Sequence, residues 1–286
     1  MDSISQVDKK TRHEMEIEIF PYLRDHCLEG KTILPAVEAL IILAKAVKSF
    51  YPQADIFCLS QARFPRFLSI DAKANKQAVI LEISKDESGN IKSALLTAVR
   101  AKTNKIKRMA EHAAVKFSQN TDDSPPTSPF RDIEKLGGRC ISVPSATLYR
   151  ELVPFGEAYQ NITGDLSVSD QGALGYISGG SAQVDDATLG SPFPSDALMH
   201  MACVWGQRFT QIVPFPIGFE KRIIYSRTKK GESYLGRVLP KDIGKQKLIF
   251  DAWIYDNDGV LCEAISSLEM RDVTQGRLRP PRWIKG

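Results

Sequence analysis

The sequence has few of the features that would mark a secreted, metal-binding or membrane protein. Its five cysteines are scattered and include no CxxC pair, which argues against a disulfide framework and a structural zinc site. The charged N-terminus, residues 1–20, has no apolar segment of the signal-peptide kind. The longest apolar stretch, Ala36–Ala46, is too short to cross a bilayer. These absences predict a soluble protein of a reducing compartment, most simply the cytoplasm.

The signatures of nucleotide and nucleic-acid binding are absent as well. The chain has no P-loop and no GxGxxG, and the segment Gly179–Ser181 is not a nucleophile elbow because GxSxG is missing. The net charge of +4 is small, and no aromatic residues interleave with the basic run Arg100–Arg108. We therefore expect no nucleotide, flavin or metal cofactor and no nucleic-acid partner.

What the sequence does contain is enough apolar material for a core of normal size. Of its 286 residues, 43% are hydrophobic and 25% are charged, an ordinary composition for a globular protein. The segment Ser118–Asp132 is rich in Ser, Thr, Asp and Pro and has little to bury, which is typical of a linker. The sequence therefore predicts an N-terminal half at 1–117, a linker at 118–139 and a C-terminal half at 140–286.

Each half is predicted to hold one long buried helix. The first helix starts at Pro35, which suits the first helical position, and runs to about Tyr51. The second starts at Asp196, with Ser195 as the N-cap, and runs to about Ile212. Strands are predicted around them at Met15–Phe20, Ile56–Ala62, Ala78–Ser84, Ser93–Lys102, Ser233–Leu239, Leu248–Tyr255 and Val260–Arg271. The same order of elements thus occurs twice, without a letter-by-letter repeat.

Three short segments place polar or small residues where chemistry could occur. The first has the spacing HxxxGxxxxP, formed by His26, Gly30 and Pro35, directly before the first helix. The second, at the start of the second helix, places Asp196 and His200 one helical turn apart on one face. The third lies between them in the chain, at Leu148–Ile162, and its notable residues are Phe155, Gly156, Tyr159 and Gln160.

In this order the segments resemble the motifs of the dehydratase domains of polyketide and polyunsaturated fatty-acid synthases. Gly156 and Gln160 match the family pattern YGPxFQ, whereas Phe155 stands where that pattern often has tyrosine and Tyr159 where it has phenylalanine. Asp258–Arg271 resembles the closing strand pair of the family. The resemblance covers about Phe20 to Arg271. It implies an α+β protein with a double hot-dog fold, in which each half is a long helix wrapped by an antiparallel sheet.

The resemblance also implies a reaction, the dehydration of 3-hydroxyacyl thioesters to trans-2-enoyl thioesters. His26 would take the α-proton, because a histidine is a neutral base near pH 7. Asp196 would protonate the departing hydroxyl, and His200 would orient Asp196 or bind that hydroxyl. Burial would raise the pKa of Asp196, whereas a position at the start of a helix would lower it, and the sequence leaves this balance open.

The remaining expectations concern the substrate and its carrier. The residues expected to form the substrate site are Gly30, Pro35, Phe155, Gly156, Tyr159 and Gln160. The substrate would be tethered to the phosphopantetheine arm of an acyl carrier protein, with other synthase domains as further partners. The basic run Arg100–Arg108 would be a solvated strand end or a docking patch for that carrier. The chain would be a discrete enzyme or a domain cut from a larger synthase, as a monomer (a pseudo-dimer of its halves) or a homodimer.

Two alternatives remain open at this point. Another hot-dog activity on acyl thioesters, such as hydrolysis or double-bond isomerisation, would use a similar pocket. A non-catalytic module that binds a carrier protein would need neither His26 nor Asp196. The other histidines, His13 and His112, belong to no motif, and we expect both at the surface.

Overall fold

The computed structural model describes residues 10–71, 73–100, 107–119, 130–183, 188–244 and 247–285. In the N-terminal half the elements are β1 (Thr11–Glu18), β2 (Cys27–Leu28), β3 (Lys31–Thr32), α1 (Ala36–Phe50), β4 (Cys58–Arg63), β5 (Lys76–Lys85), β6 (Ile91–Arg100) and β7 (Lys107–Phe117). In the C-terminal half they are β8 (Ile141–Pro144), α2 (Ser145–Glu151), β9 (Ile162–Ser169), β10 (Gly172–Ser178), α3 (Pro192–Thr210), β11 (Phe215–Ile224), β12 (Ser233–Ile243), β13 (Lys247–Tyr255) and β14 (Leu261–Arg271).

One antiparallel sheet of twelve strands runs through the described part of the chain. Its order is β1-β5-β6-β7-β4-β11-β14-β13-β12-β10-β9-β8, so the strands of the two halves form two blocks that meet where β4 pairs with β11. The long helices α1 and α3 each pack against their own block, and they contact each other across the middle. This is the predicted arrangement of one buried helix wrapped by antiparallel strands, present twice.

Burial explains why the two helices lie inside the sheet. Leu40, Leu43, Ala44 and Val47 of α1 are fully buried. In α3 the residues from Pro192 to Gln207 are all buried, which fits a helix that is apolar on most of its circumference. None of the helices in these described ranges is both long and apolar enough to cross a membrane.

The predicted start of α3 was wrong by four residues. The helix begins at Pro192, and its N-cap is Ser191, whose hydroxyl accepts a hydrogen bond from the backbone N–H of Phe193. A proline is tolerated in the first turn because the N–H that it lacks would have no partner there. Ser195 therefore lies inside the helix, and Asp196 is its fifth residue. The helix dipole acts on Asp196 less strongly than the sequence suggested.

The predicted linker, 118–139, is described only in part, since 120–129 lie outside the described residues. Its end is packed rather than extended into solvent. The ring of Phe130 meets Trp253 edge-on at 5.0 Å between centroids, and the guanidinium of Arg237 lies 3.4 Å from the Phe130 centroid. Most of the basic run Arg100–Arg108 also falls outside the described residues.

Candidate active site

A cavity of about 340 Å³ lies where the two halves meet. The first half contributes His26 to it, and α3 of the second half contributes Asp196 and His200. Most of the remaining wall is apolar, and it includes Leu34, Ala39, Phe64, Leu68, Val153, Phe155, Met199, Val213 and Phe215. The structure therefore brings together three polar residues that the sequence placed in two separate motifs.

The HxxxGxxxxP segment folds as a tight hairpin that holds His26. Strands β2 and β3 pair across Glu29 and Gly30, whose φ angles of 49° and 76° both lie in the left-handed region that glycine adopts most easily. The hairpin returns Ile33 to His26, and the backbone N–H of Ile33 donates to the His26 carbonyl at 3.0 Å. This turn gives a reason for a glycine at position 30.

The hairpin also determines which nitrogen of His26 is free. Nδ1 lies 3.0 Å from the carbonyl oxygen of Ile33, and a carbonyl can only accept, so we assign the proton to Nδ1. In the neutral ring Nε2 then carries the lone pair. His26 is only 9% exposed. Burial lowers its pKa from 6.5 to about 4, although the charge of Asp196 acts in the opposite direction. His26 is therefore a neutral base at physiological pH.

Aromatic rings from the second half hold the imidazole in place. The ring of Phe155 stacks on it at 4.2 Å between centroids, with an interplanar angle of 23°. The ring of Tyr159 meets it edge-on at 5.1 Å. The His26 ring is thus positioned by its own half through a hydrogen bond and by the other half through ring contacts.

Asp196 and His200 form a buried pair on α3, each 4% exposed. The carboxylate Oδ2 lies 3.0 Å from Nε2 of His200, but the two are not aligned as a hydrogen bond. In the described part of the chain, neither Oδ2 nor either ring nitrogen of His200 has a hydrogen-bond partner. Buried polar atoms without partners are rare in proteins. Those on a cavity wall are suited to bind a polar ligand.

The pKa of Asp196 settles the balance that the sequence left open. Burial alone would raise it, but the adjacent His200 and the nearby His26 stabilise the carboxylate, and the pKa lies below its usual value. The carboxyl group is therefore ionised at neutral pH.

The other predicted substrate-binding residues are not all at the cavity. Of the six, Phe155 lines it, whereas Gly30, Pro35, Gly156, Tyr159 and Gln160 are not among its described lining residues. Pro35 is the extended residue that caps α1. Gln160 is exposed and donates to the carbonyl of Phe155 at 2.8 Å, which closes the loop. Tyr159 lies beside His26. These five residues support the segments around the cavity but do not form its wall.

Gly156 is needed for contact between the halves. Its backbone N–H donates to the carbonyl of Asp25 at 2.8 Å, and the Asp25 carboxylate accepts from the N–H of Ala158 at 2.9 Å. A Cβ added at Gly156 would lie 2.6 Å from Cγ of Asp25. Only a glycine allows the Phe155–Gln160 loop to approach the residue that precedes His26.

The structure adds cavity residues that the sequence analysis missed. Cys203 and Gln207 follow Asp196 by seven and eleven positions and line the cavity, a helical spacing that could have identified them. His112 was expected at the surface. It is half-buried on the cavity wall, with Nε2 at 2.8 Å from Oγ1 of Thr97. Within the described ranges, no three His, Cys, Asp or Glu side chains are placed to hold a metal ion.

The C-terminal segment also reaches the cavity. Leu278 and Arg279 form part of the wall. The segment is attached by Arg277, which binds both carboxylate oxygens of Glu29 at 2.9 and 3.0 Å, next to the hairpin turn. It is also attached by Ile284, whose carbonyl accepts from Arg208 at 3.0 Å. No sequence motif marked this segment, because its role depends on contacts with distant residues.

The fold and the site together define a double hot-dog domain with a histidine and an aspartate between its halves. Comparison with solved structures agrees with this class. A dehydratase domain of a trans-AT polyketide synthase from Brevibacillus brevis has a TM-score of 0.73 at 17% identity, with 92% of this chain and 94% of that chain covered. A dehydratase domain of the curacin polyketide synthase has a TM-score of 0.71 at 19% identity, with 94% and 96% covered. The double hot-dog fold is therefore confirmed.

Sequence comparison points to the same family. The family model described as the polyketide synthase dehydratase N-terminal domain matches residues 141–280. No curated protein sequence matches the chain. The resemblance predicted from the motifs is therefore confirmed: residues 141–280 match the polyketide synthase dehydratase family, and the whole chain has the fold of such domains. The predicted reaction class, a lyase reaction that removes water from 3-hydroxyacyl thioesters, is that of this family.

Proposed function

We propose that this domain dehydrates 3-hydroxyacyl thioesters in the cavity between its halves, with His26 as the base and Asp196 as the group that protonates the departing hydroxyl. One observation carries the proposal. A neutral imidazole whose Nε2 carries the lone pair and a buried carboxylate, contributed by different halves, line the same cavity. Elimination of water needs these two functions on either side of the Cα–Cβ bond.

In the first step His26 takes the proton from Cα of the substrate. The Ile33 carbonyl keeps Nδ1 protonated, so the proton goes to Nε2. The product of this step is an imidazolium in a buried site, where its charge is stabilised by Asp196. The apolar surroundings keep His26 in its basic form until the substrate arrives.

In the second step the β-hydroxyl leaves with a proton. Because Asp196 is ionised before the reaction begins, the proton that it hands over comes from the His26 imidazolium. The pair thus moves one proton from Cα to the β-oxygen, the Cβ–O bond breaks, and the Cα–Cβ double bond forms. Water is released, and both side chains return to their starting states without a net gain or loss of protons.

His200 has a positioning role in this scheme. Its Nε2 lies 3.0 Å from the Asp196 carboxylate, one helical turn away. A ring in that place holds the carboxylate toward the cavity. Since both of its nitrogens lack partners within the described residues, it also has a nitrogen available for the hydroxyl of the substrate.

The lining of the cavity supports an acyl thioester as the substrate. Its walls are mainly apolar and suit a hydrocarbon chain, whereas its polar atoms are concentrated at His26, Asp196 and His200. A dehydratase domain from Mycobacterium tuberculosis, with a TM-score of 0.63 at 17% identity, was solved in complex with C12:1-CoA, and 92% of this chain and 93% of that chain are covered. By analogy, the substrate here would arrive on the phosphopantetheine arm of a carrier protein, in the cytoplasm.

The reverse reaction, hydration of a trans-2-enoyl pantetheine thioester, gives a direct test. We expect the intact chain to hydrate it, and His26→Ala and Asp196→Asn each to lower kcat by at least ~10²-fold, the usual scale for a positioned acid or base. The double variant should be little worse than either single one, because the two groups act as a unit. His200→Gln should be milder, since an amide can still orient the carboxylate.

His13→Ala is the matched control, because His13 is half-buried on β1, packs against Phe50 and does not line the cavity. It should leave the rate unchanged. Release of free thiol instead of hydration would favour thioester hydrolysis. If the folded protein hydrates neither pantetheine thioesters nor carrier-protein thioesters, the dehydratase proposal is refuted and the non-catalytic binding module is favoured.

A further inference from the structure

A second buried acid interacts electrostatically with Asp196 of the proposed catalytic pair and has no part in the scheme above. Glu38 is the third residue of α1 and is only 6% exposed. Its side chain accepts a hydrogen bond from Tyr22, in the short turn that precedes His26. Its other interactions are electrostatic: Asp196 disfavours its ionised form, and Lys45 of its own helix favours it. Its Oε1 is buried without a hydrogen-bond partner in the described part of the chain.

Tyr159 connects Glu38 to the site. Its ring contacts that of His26 edge-on at 5.1 Å and that of Tyr22 at 6.4 Å between centroids. Its hydroxyl is fully buried and, like Oε1 of Glu38, has no hydrogen-bond partner among the residues described. The charges of Glu38 and Asp196 both act on this hydroxyl. Buried polar atoms without hydrogen-bond partners are rare in proteins, and each of these two calls for an explanation.

We propose that Glu38 is a positioning residue for the proposed reaction, whose charge behind the cavity wall sets how readily Asp196 accepts and gives up a proton. The proposal rests on the proposed function, because it assigns Asp196 a proton to transfer. Among the described residues, the titratable groups that interact with Glu38 are Tyr22, Tyr159, Asp196 and Lys45.

Electrostatics gives the direction of the effect. Burial, with a further contribution from Asp196, raises the pKa of Glu38 to about 7, so its charge changes within the physiological range. An ionised Glu38 disfavours a second negative charge on Asp196 and so increases the proton affinity of Asp196. Asp196 then takes the proton from the His26 imidazolium more readily. The reaction should therefore be faster when Glu38 is ionised.

The kinetic test follows the pH dependence of enoyl thioester hydration. In the unaltered chain, kcat/KM should rise about three- to tenfold as pH increases through about 7, a step worth at most one pKa unit of coupling. Glu38→Gln should abolish the step and keep the lower rate. Tyr22→Phe should move the step to higher pH, because the carboxylate loses a hydrogen bond. Glu82→Gln is the control, since Glu82 lies on β5 and binds Lys10 and Arg12 at the surface.

A second measurement does not depend on activity. The infrared carbonyl band of a protonated carboxyl group, taken as the difference between the unaltered chain and Glu38→Gln, reports the titration of Glu38. Asp196→Asn removes the neighbouring charge and should lower the midpoint of that titration. If the midpoint is lowered but the protein hydrates no thioester, the proposed function is refuted, whereas the coupling between Glu38 and Asp196 is supported. An unchanged midpoint, or a pH step that persists in Glu38→Gln, would overturn the role of Glu38.

Discussion

At the scale of single residues, His26 shows how one side chain takes its properties from two distant parts of the chain. Its tautomer is set locally, by the hairpin that returns the Ile33 carbonyl to Nδ1. Its burial is set by the other half, which stacks Phe155 on the ring. A histidine in the same hairpin without that partner half would be solvated and would titrate near its ordinary pKa of about 6.5.

This burial leads to a prediction for the acid limb of the pH profile. Protonation of His26 would remove the proposed base, and its pKa is lowered to about 4. In Glu38→Gln, where no step near neutrality is expected, kcat/KM should therefore stay nearly level from pH 7 down to about pH 5 and fall only below that. A limb centred near pH 6.5 would show that water reaches the ring and that the site is less enclosed than the structure indicates.

At the scale of elements, the position of α3 depends on a buried ion pair between two strands. Arg222 of β11 and Glu263 of β14 contact each other twice at 2.9 Å, and both are almost fully buried. Both also bind Ser195 at 2.8 Å: Arg222 donates to its hydroxyl, and the hydroxyl donates to Glu263. Ser195 directly precedes Asp196, so this network holds the helix start that carries the proposed acid.

The network can be tested by removing one partner at a time. Arg222→Leu leaves a buried carboxylate without its cation, and Glu263→Leu leaves a buried guanidinium without its anion. Each should lower the free energy of unfolding by roughly 3–5 kcal/mol, measured by urea denaturation. The double variant should be less destabilised than the sum of the two, since no unpaired charge remains. Strict additivity would mean that the two side chains do not act as a pair.

At the scale of the whole molecule, the cavity exists because the halves are joined with α1 against α3. One face of α3 lines the cavity with the side chains of Asp196, His200, Cys203 and Gln207. Eleven residues of helix extend about 16 Å, which allows room for a long acyl chain beyond the reacting carbons. Cys203 and Gln207, which lie farther along α3 than Asp196 and His200, are buried. Glu29, Arg66 and Arg279 also line the cavity, but they are exposed to solvent.

A larger side chain at Cys203 should therefore discriminate between substrates by chain length. With Cys203→Phe, kcat/KM for a twelve-carbon enoyl thioester should fall at least ~10-fold, because excluding two methylenes loses about 1.6 kcal/mol of burial. The value for a four-carbon thioester should stay within about twofold of the unaltered chain. Cys203→Ser, which keeps the size of the side chain, is the matched control. Equal losses for both chain lengths would place the acyl chain elsewhere.

The sequence by itself determined most of the elements and the three polar residues of its motifs, His26, Asp196 and His200, that line the cavity. Apolar runs and turn residues placed both long helices and most of the strands, because helical and strand periodicities are local properties. The HxxxGxxxxP segment also depends on local properties, because it forms a hairpin between neighbouring residues with a glycine in its turn. The start of α3 was misplaced because Pro192 and Ser191 form a cap as good as the one predicted at Ser195.

Only the tertiary structure decided which of these residues form the cavity and how they are charged. Gly156 and Tyr159 were expected to touch the substrate, yet they hold the two halves together around His26. His112, Cys203 and Glu38 had no motif, and their positions follow from packing between distant segments. The pKa of Asp196 could not be derived from the sequence, because burial raises it while two histidines lower it. Both effects depend on distances that arise only when the chain is folded.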